Sequence, residues 1–176
     1  MTRLPIVLAC LLLAVFFAVG CGDDEEEAAA PAATATPTPT PQETDFAGIS
    51  DDVTAKPEIP APSGEPPAEL QQVDIVEGKG KAARQGDTVS VQYVGNSWST
   101  GTQFDASWDR GREPFTFPLG AGQVIRGWDE GVAGMKEGGR RVLVIPPDLA
   151  YGAQSPSPDI AANETLVFVV DLTKIG

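Results

Sequence analysis

The fold of this chain is decided by one stretch, Gly120-Ala-Gly-Gln-Val-Ile-Arg-Gly-Trp-Asp-Glu-Gly-Val-Ala-Gly134, which has the one convincing helical pattern in the second half of the sequence. At about 100° per residue, its apolar side chains share one arc and its interior glycines share the next: Val124, Ile125, Trp128, Val132 and Met135, then Gly127, Gly131 and Gly134. Each interior glycine costs a helix about 1 kcal/mol relative to alanine, so three on one side indicate a backbone packed very close to a sheet. The stretch therefore predicts a short helix that lies across a sheet curled around it.

Trp128 stands on the apolar face of this predicted helix. A tryptophan in such a position is ordinarily an anchor of the hydrophobic core. Two features favour a second role. Backbone N–H groups at the start of a helix, here those of Val124 and Ile125, can point at a ligand, and aromatic residues gather on both sides of the stretch. The combination predicts that Trp128 forms the floor of a pocket.

The charge of the chain is concentrated at its front. Residues 1–70 carry 12 Asp and Glu against 2 Lys and Arg, and residues 71–176 carry 13 against 10, so the net charge of −13 divides into −10 and −3. Neither part has the basic stripe that binding to a phosphate backbone requires. Nucleic acid is therefore excluded as an expected partner, and the composition describes an acidic tail before a nearly neutral domain.

The first 20 residues have the form of a signal peptide, because Arg3 precedes an apolar run of signal length, Leu4–Val19. The run ends in Ala18-Val-Gly-Cys21, which resembles a bacterial lipobox, although Ala18 stands where leucine is commoner. We therefore expect residues 1–20 to be removed and Cys21 to be lipidated, which would anchor the chain to the outer side of the bacterial cell membrane. An uncleaved membrane anchor is the alternative, for which the run is slightly short.

The expected folded part contains neither cysteine nor histidine. Cys10 leaves with the predicted signal, Cys21 carries lipid, and the chain has no histidine. A disulfide, a thiol nucleophile, a cysteine-based metal site and catalysis by a Ser-His or Cys-His pair are therefore excluded. Any chemistry of this domain has to proceed without those groups.

Residues 21–70 are rich in acidic residues, alanine, threonine and proline and poor in aromatic residues. Such a composition cannot bury enough surface to offset the entropy of ordering, so it predicts a disordered linker after the lipidated cysteine. At roughly 5–6 Å × √n for a flexible chain, about 48 residues would hold a domain about 40 Å or more from the membrane. A short extended segment at Val53–Pro60 that pairs with the domain edge, glycosylation of the Thr-Pro run, and a binding tail are alternatives that the composition leaves open.

Residues 71–176 predict an α+β domain with an antiparallel sheet. Alternation in Thr88–Val94 is typical of a half-buried strand, and the strongest apolar strands are Arg140–Ile145 and Leu166–Leu172. Weaker candidates are Val73–Val76, Gln103–Phe104 and Phe115–Phe117. About 105 residues can bury one modest core, and we expect five short strands and one short helix.

Seven motifs follow one another through this domain: Tyr93-Val-Gly95, Phe104-Asp-Ala-Ser-Trp-Asp-Arg110, Pro114-Phe-Thr-Phe117, Gln123-Val-Ile-Arg-Gly-Trp128, Gly131-Val-Ala-Gly-Met135, Ile145-Pro-Pro-Asp-Leu-Ala-Tyr-Gly152 and Ala162-Asn-Glu-Thr-Leu-Val-Phe168. Together and in this order they resemble the FK506-binding-protein (FKBP) family of peptidyl-prolyl cis-trans isomerases. The resemblance runs from about Gln71 to Lys174. Any one of the motifs alone would carry almost no weight.

The resemblance implies a half-barrel of five antiparallel strands wrapped around the helix, with a proline-binding pocket between them and Trp128 as its floor. It implies a role for each surrounding residue: walls from Tyr93, Phe104, Phe115 and Phe168; a rim from Val124 and Ile125, with the Ile125 N–H donating to a peptide carbonyl; polar contacts at the mouth from Asp105 and Tyr151; Arg110 as the group that orients Asp105 or Tyr93; and an apolar flap contact from Ile160. Without the resemblance, the aromatic residues would be core packing and the Asp105–Arg110 pair an ordinary surface ion pair.

The implied reaction suits this set of residues. Rotation about an X-Pro bond faces a barrier of about 18–20 kcal/mol and needs no nucleophile, metal, cofactor or proton transfer. An apolar aromatic pocket favours the twisted amide, whose charge separation is smaller than that of the planar form. The implied partners are unfolded or extended polypeptides that contain proline, together with macrolides of the FK506 and rapamycin type, and we expect a monomer.

Three positions depart from the family pattern at the rim of the pocket. Gln123 stands where relatives have glutamate, Pro156 where they have histidine, and Asp159-Ile160 where they have two isoleucines. The charge of Asp159 is expected to weaken the binding of macrolides and of strongly apolar residues before proline. Two hypotheses follow: a membrane-tethered isomerase that assists the folding of exported proteins, and a binding module of the same fold that holds proline-containing segments with little turnover.

Overall fold

Six antiparallel strands and one short α-helix are present in the computed structural model, which describes residues 46–176. The elements are β1 (Gln71–Val76), β2 (Thr88–Ser97), β3 (Gln103–Ala106), β4 (Phe115–Pro118), α1 (Arg126–Gly131), β5 (Arg140–Ile145) and β6 (Leu166–Ile175), with 3₁₀ turns at Ser107–Arg110 and Pro147–Leu149. The predicted α+β antiparallel fold is confirmed, but with six strands instead of five, because β3 and β4 each pair separately with β2. The predicted signal peptide, Cys21 and the Thr-Pro run lie outside the described residues.

The sheet bends because β2 shares one of its edges between two short strands. β4 pairs with its first half, from Thr88 to Val91, and β3 with its second half, from Val94 to Asn96. The other edge of β2 pairs with β6, and the strand order is β1-β5-β6-β2-β3. The pairings of β2 with β3 and with β6 each contain one shift of register, and such bulges increase local twist. The curved sheet has an inner face that packs on α1 and an outer face that points away from it.

The helix α1 crosses the inner face on two glycines. A Cβ atom added to Gly127 would lie 2.3 Å from Cγ2 of Ile145, and one added to Gly131 would lie 2.7 Å from Cδ2 of Leu143. Both distances are far shorter than a van der Waals contact, so any side chain at these two positions would push the helix away from β5. The predicted close approach of helix and sheet is confirmed at both glycines.

The helix is shorter than the stretch that predicted it. It contains six residues, and it lies between a loop in which Gly120 and Gly122 have positive φ and Gly134, whose φ is 80°. The carboxylate of Asp129 accepts hydrogen bonds from the N–H groups of Gly120 (2.7 Å) and Gly122 (3.0 Å), which holds the loop against the helix. The predicted contact of Gly134 with the sheet is wrong, because no non-neighbouring atom lies within 4 Å of a Cβ built there. Within residues 46–176, no helix is long and apolar enough to cross a membrane.

Residues 46–62, which we call the strap, lie against the outer face of the sheet. Phe46 and Ile49 are 4% and 6% exposed, and they pack against one layer of apolar side chains: Trp98, Val142, Val144, Val167 and Val169. This differs from the predicted disordered linker, which extended to residue 70, and the strap forms no strand at the domain edge. The physical reason is that β5 and β6 carry valines on the outer face as well as apolar side chains on the inner face, and the strap covers the outer layer.

A buried arginine joins the strap to the sheet. Arg140 is fully buried, and its guanidinium donates to both carboxylate oxygens of Asp171, at 2.5 and 2.8 Å. It also donates to the backbone carbonyls of Ser50 (2.7 Å) and Ala55 (2.9 Å) in the strap. A buried charge whose donors lack partners is strongly destabilising. The strap therefore completes the hydrogen bonding of the buried Arg140 guanidinium.

Replacing Ile49 by alanine should lower the free energy of unfolding by about 2–3 kcal/mol, because Ile49→Ala removes a buried aliphatic side chain. Equilibrium urea unfolding of the full-length chain measures the change. Val73→Ala is the matched control, since Val73 is 39% exposed and its replacement should cost about 0.5 kcal/mol or less. Equal effects of the two variants would contradict the packing of the strap.

Candidate active site

An aromatic cluster surrounds Trp128 on the inner face of the sheet. The indole is 4% exposed, and four rings from three strands lie around it at centroid distances of 5.1 Å (Tyr93), 5.2 Å (Phe168), 5.6 Å (Phe117) and 6.1 Å (Phe115). Three of these rings meet it edge to face, which is a favoured geometry for aromatic pairs. The close packing of α1 against β5 at Gly127 and Gly131 thus places Trp128 at the centre of the cluster.

One side of this cluster is open to solvent. Phe115, which contacts the indole, is 40% exposed, as is Tyr151, and the half-buried Val124 and Ile125 pack against the same core. Ile125 precedes the helix, where its carbonyl accepts from the Trp128 N–H at 2.9 Å. In the part of the chain that the structure describes, its own N–H has no hydrogen-bond acceptor. The opening is therefore apolar, with a free backbone donor at its edge.

A glycine in β2 makes room for one wall of the pocket. Phe104 and Phe168 meet edge to face at a centroid distance of 5.5 Å. A Cβ atom on Gly95 would lie 2.8 Å from a ring carbon of Phe104 and 2.6 Å from one of Phe168. Any side chain at Gly95 would displace both rings. Sequence reasoning placed Gly95 in a motif without giving it a role, and the structure shows that it shapes this wall.

Tyr93, Asp105 and Arg110 form one hydrogen-bonded network beside the aromatic cluster. The Tyr93 hydroxyl donates to Oδ2 of Asp105 at 2.5 Å and accepts from Nη2 of Arg110 at 2.7 Å. The guanidinium also binds Oδ1 of Asp105, and it lies over the Tyr93 ring, 5.6 Å from the centroid. The sequence left open whether Arg110 contacts Asp105 or Tyr93, and in the structure it contacts both.

The tyrosines at this site stay protonated. Burial raises the pKa of Tyr93 to about 12, and its hydrogen bond to Asp105 acts in the same direction. Burial and the charge of Asp105 also raise the pKa of Tyr151, which places Tyr151 within the field of the same carboxylate. Both phenols are therefore neutral donors at physiological pH.

The connection between β5 and β6 packs one isoleucine, Ile160, into the inner core. Ile160 is 5% exposed and belongs to the inner core, whereas its neighbour Asp159 is exposed. The hydroxyl of Ser155 donates to the carbonyl of Ile160 at 2.7 Å. Gln123 and Pro156, the other departures from the family pattern, are exposed as well. The loop thus keeps its isoleucine inward and leaves the carboxylate of Asp159 in solvent.

The structure brings together the residues that the sequence predicted for the pocket: Tyr93, Phe104, Asp105, Arg110, Phe115, Val124, Ile125, Trp128, Tyr151, Ile160 and Phe168. Their contacts with a bound peptide stay predictions. The sequence analysis did not assign Phe117 to this site. In the structure Phe117 stacks on Phe115 at a centroid distance of 5.6 Å and also contacts the Trp128 indole. The signal was present in the sequence, since residues two apart on a strand share a face.

This inner face offers an apolar aromatic cluster with neutral N–H and O–H donors at its edge, which suits a domain that binds a peptide segment. Comparison with known proteins agrees with that class. The family model described as FKBP-type peptidyl-prolyl cis-trans isomerase matches residues 79–173, which is more than half of the chain. The chain belongs to this family, whose members are peptidyl-prolyl isomerases.

Relatives and a solved structure give the same result. An FK506-binding protein of Streptomyces anulatus is 59% identical over 121 residues, which cover 68% of this chain and 97% of that protein. A probable FK506-binding protein of Corynebacterium glutamicum is 48% identical over 117 residues, which cover 66% of this chain and 96% of that protein. The crystal structure of FkpA from Escherichia coli aligns with a TM-score of 0.54 at 39% identity, and the alignment covers 73% of this chain and 51% of FkpA. The chain thus spans about half of FkpA.

The similarity to the Streptomyces protein extends beyond the region of the family match. Residues 71–176 number 106, fewer than the 121 that align, so the alignment includes residues before Gln71. The segment that precedes β1 is therefore part of what the two proteins share.

The stability of the domain should fall as the pH rises from about 10 to about 12. An unfolded tyrosine loses its proton near pH 10, whereas folded Tyr93 keeps its proton up to about pH 12. In that window the unfolded chain binds fewer protons, so a higher pH favours unfolding, and the contribution of Tyr93 is fully present below about pH 10. Urea unfolding over this pH range measures the slope. Tyr93→Phe should make it shallower, and identical slopes in the two proteins would contradict the raised pKa.

Proposed function

We propose that this member of the FKBP family accelerates rotation about X-Pro bonds in exported polypeptides, held at the outer side of the cell membrane by lipid on Cys21. The observation that carries the catalytic part is the aromatic pocket around Trp128, with the network of Tyr93, Asp105 and Arg110 beside it. The place of action rests on the sequence of residues 1–70.

Isomerisation requires the prolyl amide to lose its planarity. The conjugated amide resists this with a barrier of about 18–20 kcal/mol. A proline ring set against Trp128 and Phe115 would bring the amide into an apolar environment, which favours the twisted form because its charge separation is smaller. The pocket lowers the barrier to the extent that it binds the twisted amide more tightly than the planar one.

The edge of the pocket supplies donors that suit a peptide backbone. The Ile125 N–H has no acceptor among the described residues, and the Tyr151 hydroxyl is neutral and partly exposed. Each is free to donate to a carbonyl that flanks the proline. Arg110 balances the charge of Asp105 and holds the Tyr93 hydroxyl, so the wall beside the rotating bond keeps its shape.

The rim should disfavour strongly apolar ligands. Asp159 is exposed directly beside the buried Ile160, and a carboxylate covered by an apolar group loses hydration without gaining a partner. We therefore expect FK506 and rapamycin-type macrolides to bind more weakly than they would to a site with an apolar residue at this position. Peptides with a large apolar residue before proline should be disfavoured in the same way.

The first test measures isomerisation of short X-Pro peptides by the full-length chain. Trp128→Leu should lower kcat/KM about tenfold, the equivalent of about 1.4 kcal/mol of transition-state stabilisation, because the proline loses the face it packs against. Trp98→Leu is the matched control, since Trp98 is 7% exposed but packs on the outer face. Its kcat/KM per folded molecule should match that of the unaltered chain, with folding checked by circular dichroism. If folded Trp128→Leu kept the kcat/KM of the unaltered chain, the assignment of Trp128 to the proline-binding pocket would be wrong.

The same assay with FK506 separates an enzyme from a binding module. Acceleration that FK506 blocks supports both the isomerase and its pocket. Acceleration that resists FK506 supports the isomerase with a rim altered by Asp159. A folded chain that accelerates no X-Pro peptide favours the second candidate, a chaperone-like module that holds proline-containing segments.

The tether has a test of its own. If Cys21 carries the lipid, Cys21→Ala should move the protein out of the membrane fraction, because it removes the only site of attachment that the lipobox provides. Cell fractionation and the mass of the intact protein measure this. An unaltered chain that keeps the full-length mass and carries no lipid would point instead to an uncleaved anchor.

A further inference from the structure

We propose that Lys56, in the strap, is a positioning residue of the active site and acts through Asp109 on Arg110. The inference rests on the isomerase function proposed above. Nζ of Lys56 lies 2.7 and 2.9 Å from the two carboxylate oxygens of Asp109, the residue immediately before Arg110. Lys56 precedes Asp109 by 53 residues and lies outside the family match at residues 79–173, so the family pattern gives it no role.

Arg110 needs support because its side chain is 54% exposed. It stands at the end of the 3₁₀ turn Ser107–Arg110, which is followed by Gly111 in the left-handed conformation with φ 77°. A long exposed side chain loses entropy when it is held in one rotamer. Its contacts with Asp105 and Tyr93 therefore persist only if the backbone of the turn is fixed.

The sheet fixes the inner side of this turn. Ser107 is fully buried, and its hydroxyl accepts from the Tyr93 N–H at 2.9 Å and donates to the side-chain carbonyl of Gln92 at 2.5 Å. The side-chain amide of Gln92 donates to the backbone carbonyl of Arg112 at 2.6 Å. These bonds tie the start of the turn, and the backbone just beyond it, to β2.

The strap fixes the outer side. Asp109, before Arg110, is bound by Lys56. Arg112, two residues after Arg110, donates from Nη2 to the backbone carbonyl of Thr54 at 2.6 Å. Strap contacts therefore lie on both sides of Arg110 along the chain.

The backbone of the strap is held in place on both sides of Lys56. The carbonyl of Ala55 accepts from the buried Arg140 at 2.9 Å, and Pro57 is buried. Ile59 packs against the outer apolar layer and against a second apolar cluster that contains Trp108 of the turn. The ammonium group of Lys56 therefore extends from a backbone held on both sides.

Lys56→Met removes the charge and keeps an unbranched apolar side chain. The ion pair is partly exposed, with 37% for Lys56 and 52% for Asp109, and Asp109 also keeps a hydrogen bond from Gln103 at 2.8 Å. Because exposed pairs are weak, we expect kcat/KM to fall about two- to fivefold. Lys56→Arg should keep the activity of the unaltered chain, since a guanidinium also donates to a carboxylate.

Lys136→Met is the matched control. Lys136 forms a similar exposed pair with Glu77, at 2.6 Å and with side-chain exposures of 44% and 72%. Neither residue is hydrogen-bonded to the strap or to the turn in the described part of the chain. This variant should leave kcat/KM unchanged.

A double-mutant cycle with Arg110→Met separates positioning from general stabilisation. If Lys56 acts through Arg110, Lys56→Met should have no further effect on kcat/KM once Arg110 has been replaced. A second readout is independent of catalysis. The side-chain N–H signals of Arg110 in the NMR spectrum of the nitrogen-15-labelled full-length chain, assigned by their loss in Arg110→Met, should shift in Lys56→Met but not in Lys136→Met.

Two results would overturn the proposal. In the first, Lys56→Met lowers kcat/KM as much in the Arg110→Met chain as in the unaltered chain. In the second, Lys56→Met does not change the chemical shifts of the Arg110 side-chain N–H groups. If the unaltered chain does not accelerate isomerisation, the proposed function fails, and the NMR signals alone decide whether the strap positions Arg110.

Discussion

The seating of α1 on β5 is the contact on which the rest of the site depends. At Gly127 and Gly131 the helix backbone lies directly against Ile145 and Leu143, at distances that leave no room for a Cβ atom. A helix of six residues has little stability of its own, so this contact and the hydrogen bonds of its flanking loops hold it in place. Because Trp128 follows Gly127 in the chain, the depth of the helix sets the depth of the pocket floor.

The reaction proposed for the pocket requires walls of fixed shape and no reactive groups. Rotation of an amide needs no proton transfer, and the high pKa of Tyr93, about 12, keeps its phenol a donor to Asp105 throughout the physiological range. The walls are held from two directions, by ring contacts within the sheet and by the turn Ser107–Arg110, which touches β2 on one side and the strap on the other. The inner pocket and the outer face of the sheet therefore share one structural support.

Much of this could be read from the sequence, and the failures have physical causes. The period of the glycines predicted the approach of helix to sheet, but the length of α1 depended on Asp129 and Gly134, whose loop bonds and backbone conformation are set by tertiary structure. The motifs picked out residues that the structure brings together around Trp128. The strap was predicted as linker, with a segment at Val53–Pro60 against the domain edge as an open alternative, because its few apolar side chains are diluted by proline and acidic residues. One signal was available: Arg140–Ile145 is apolar at four consecutive positions, as strands covered on both faces are.

The strap also lies on the opposite side of the sheet from the aromatic cluster. Phe46, the first described residue, is buried on the outer face of the sheet, while the helix and the aromatic cluster occupy the inner face. The described chain therefore begins on the side of the sheet opposite to Trp128, and the strap reaches the aromatic cluster from behind, through the sheet and the turn Ser107–Arg110.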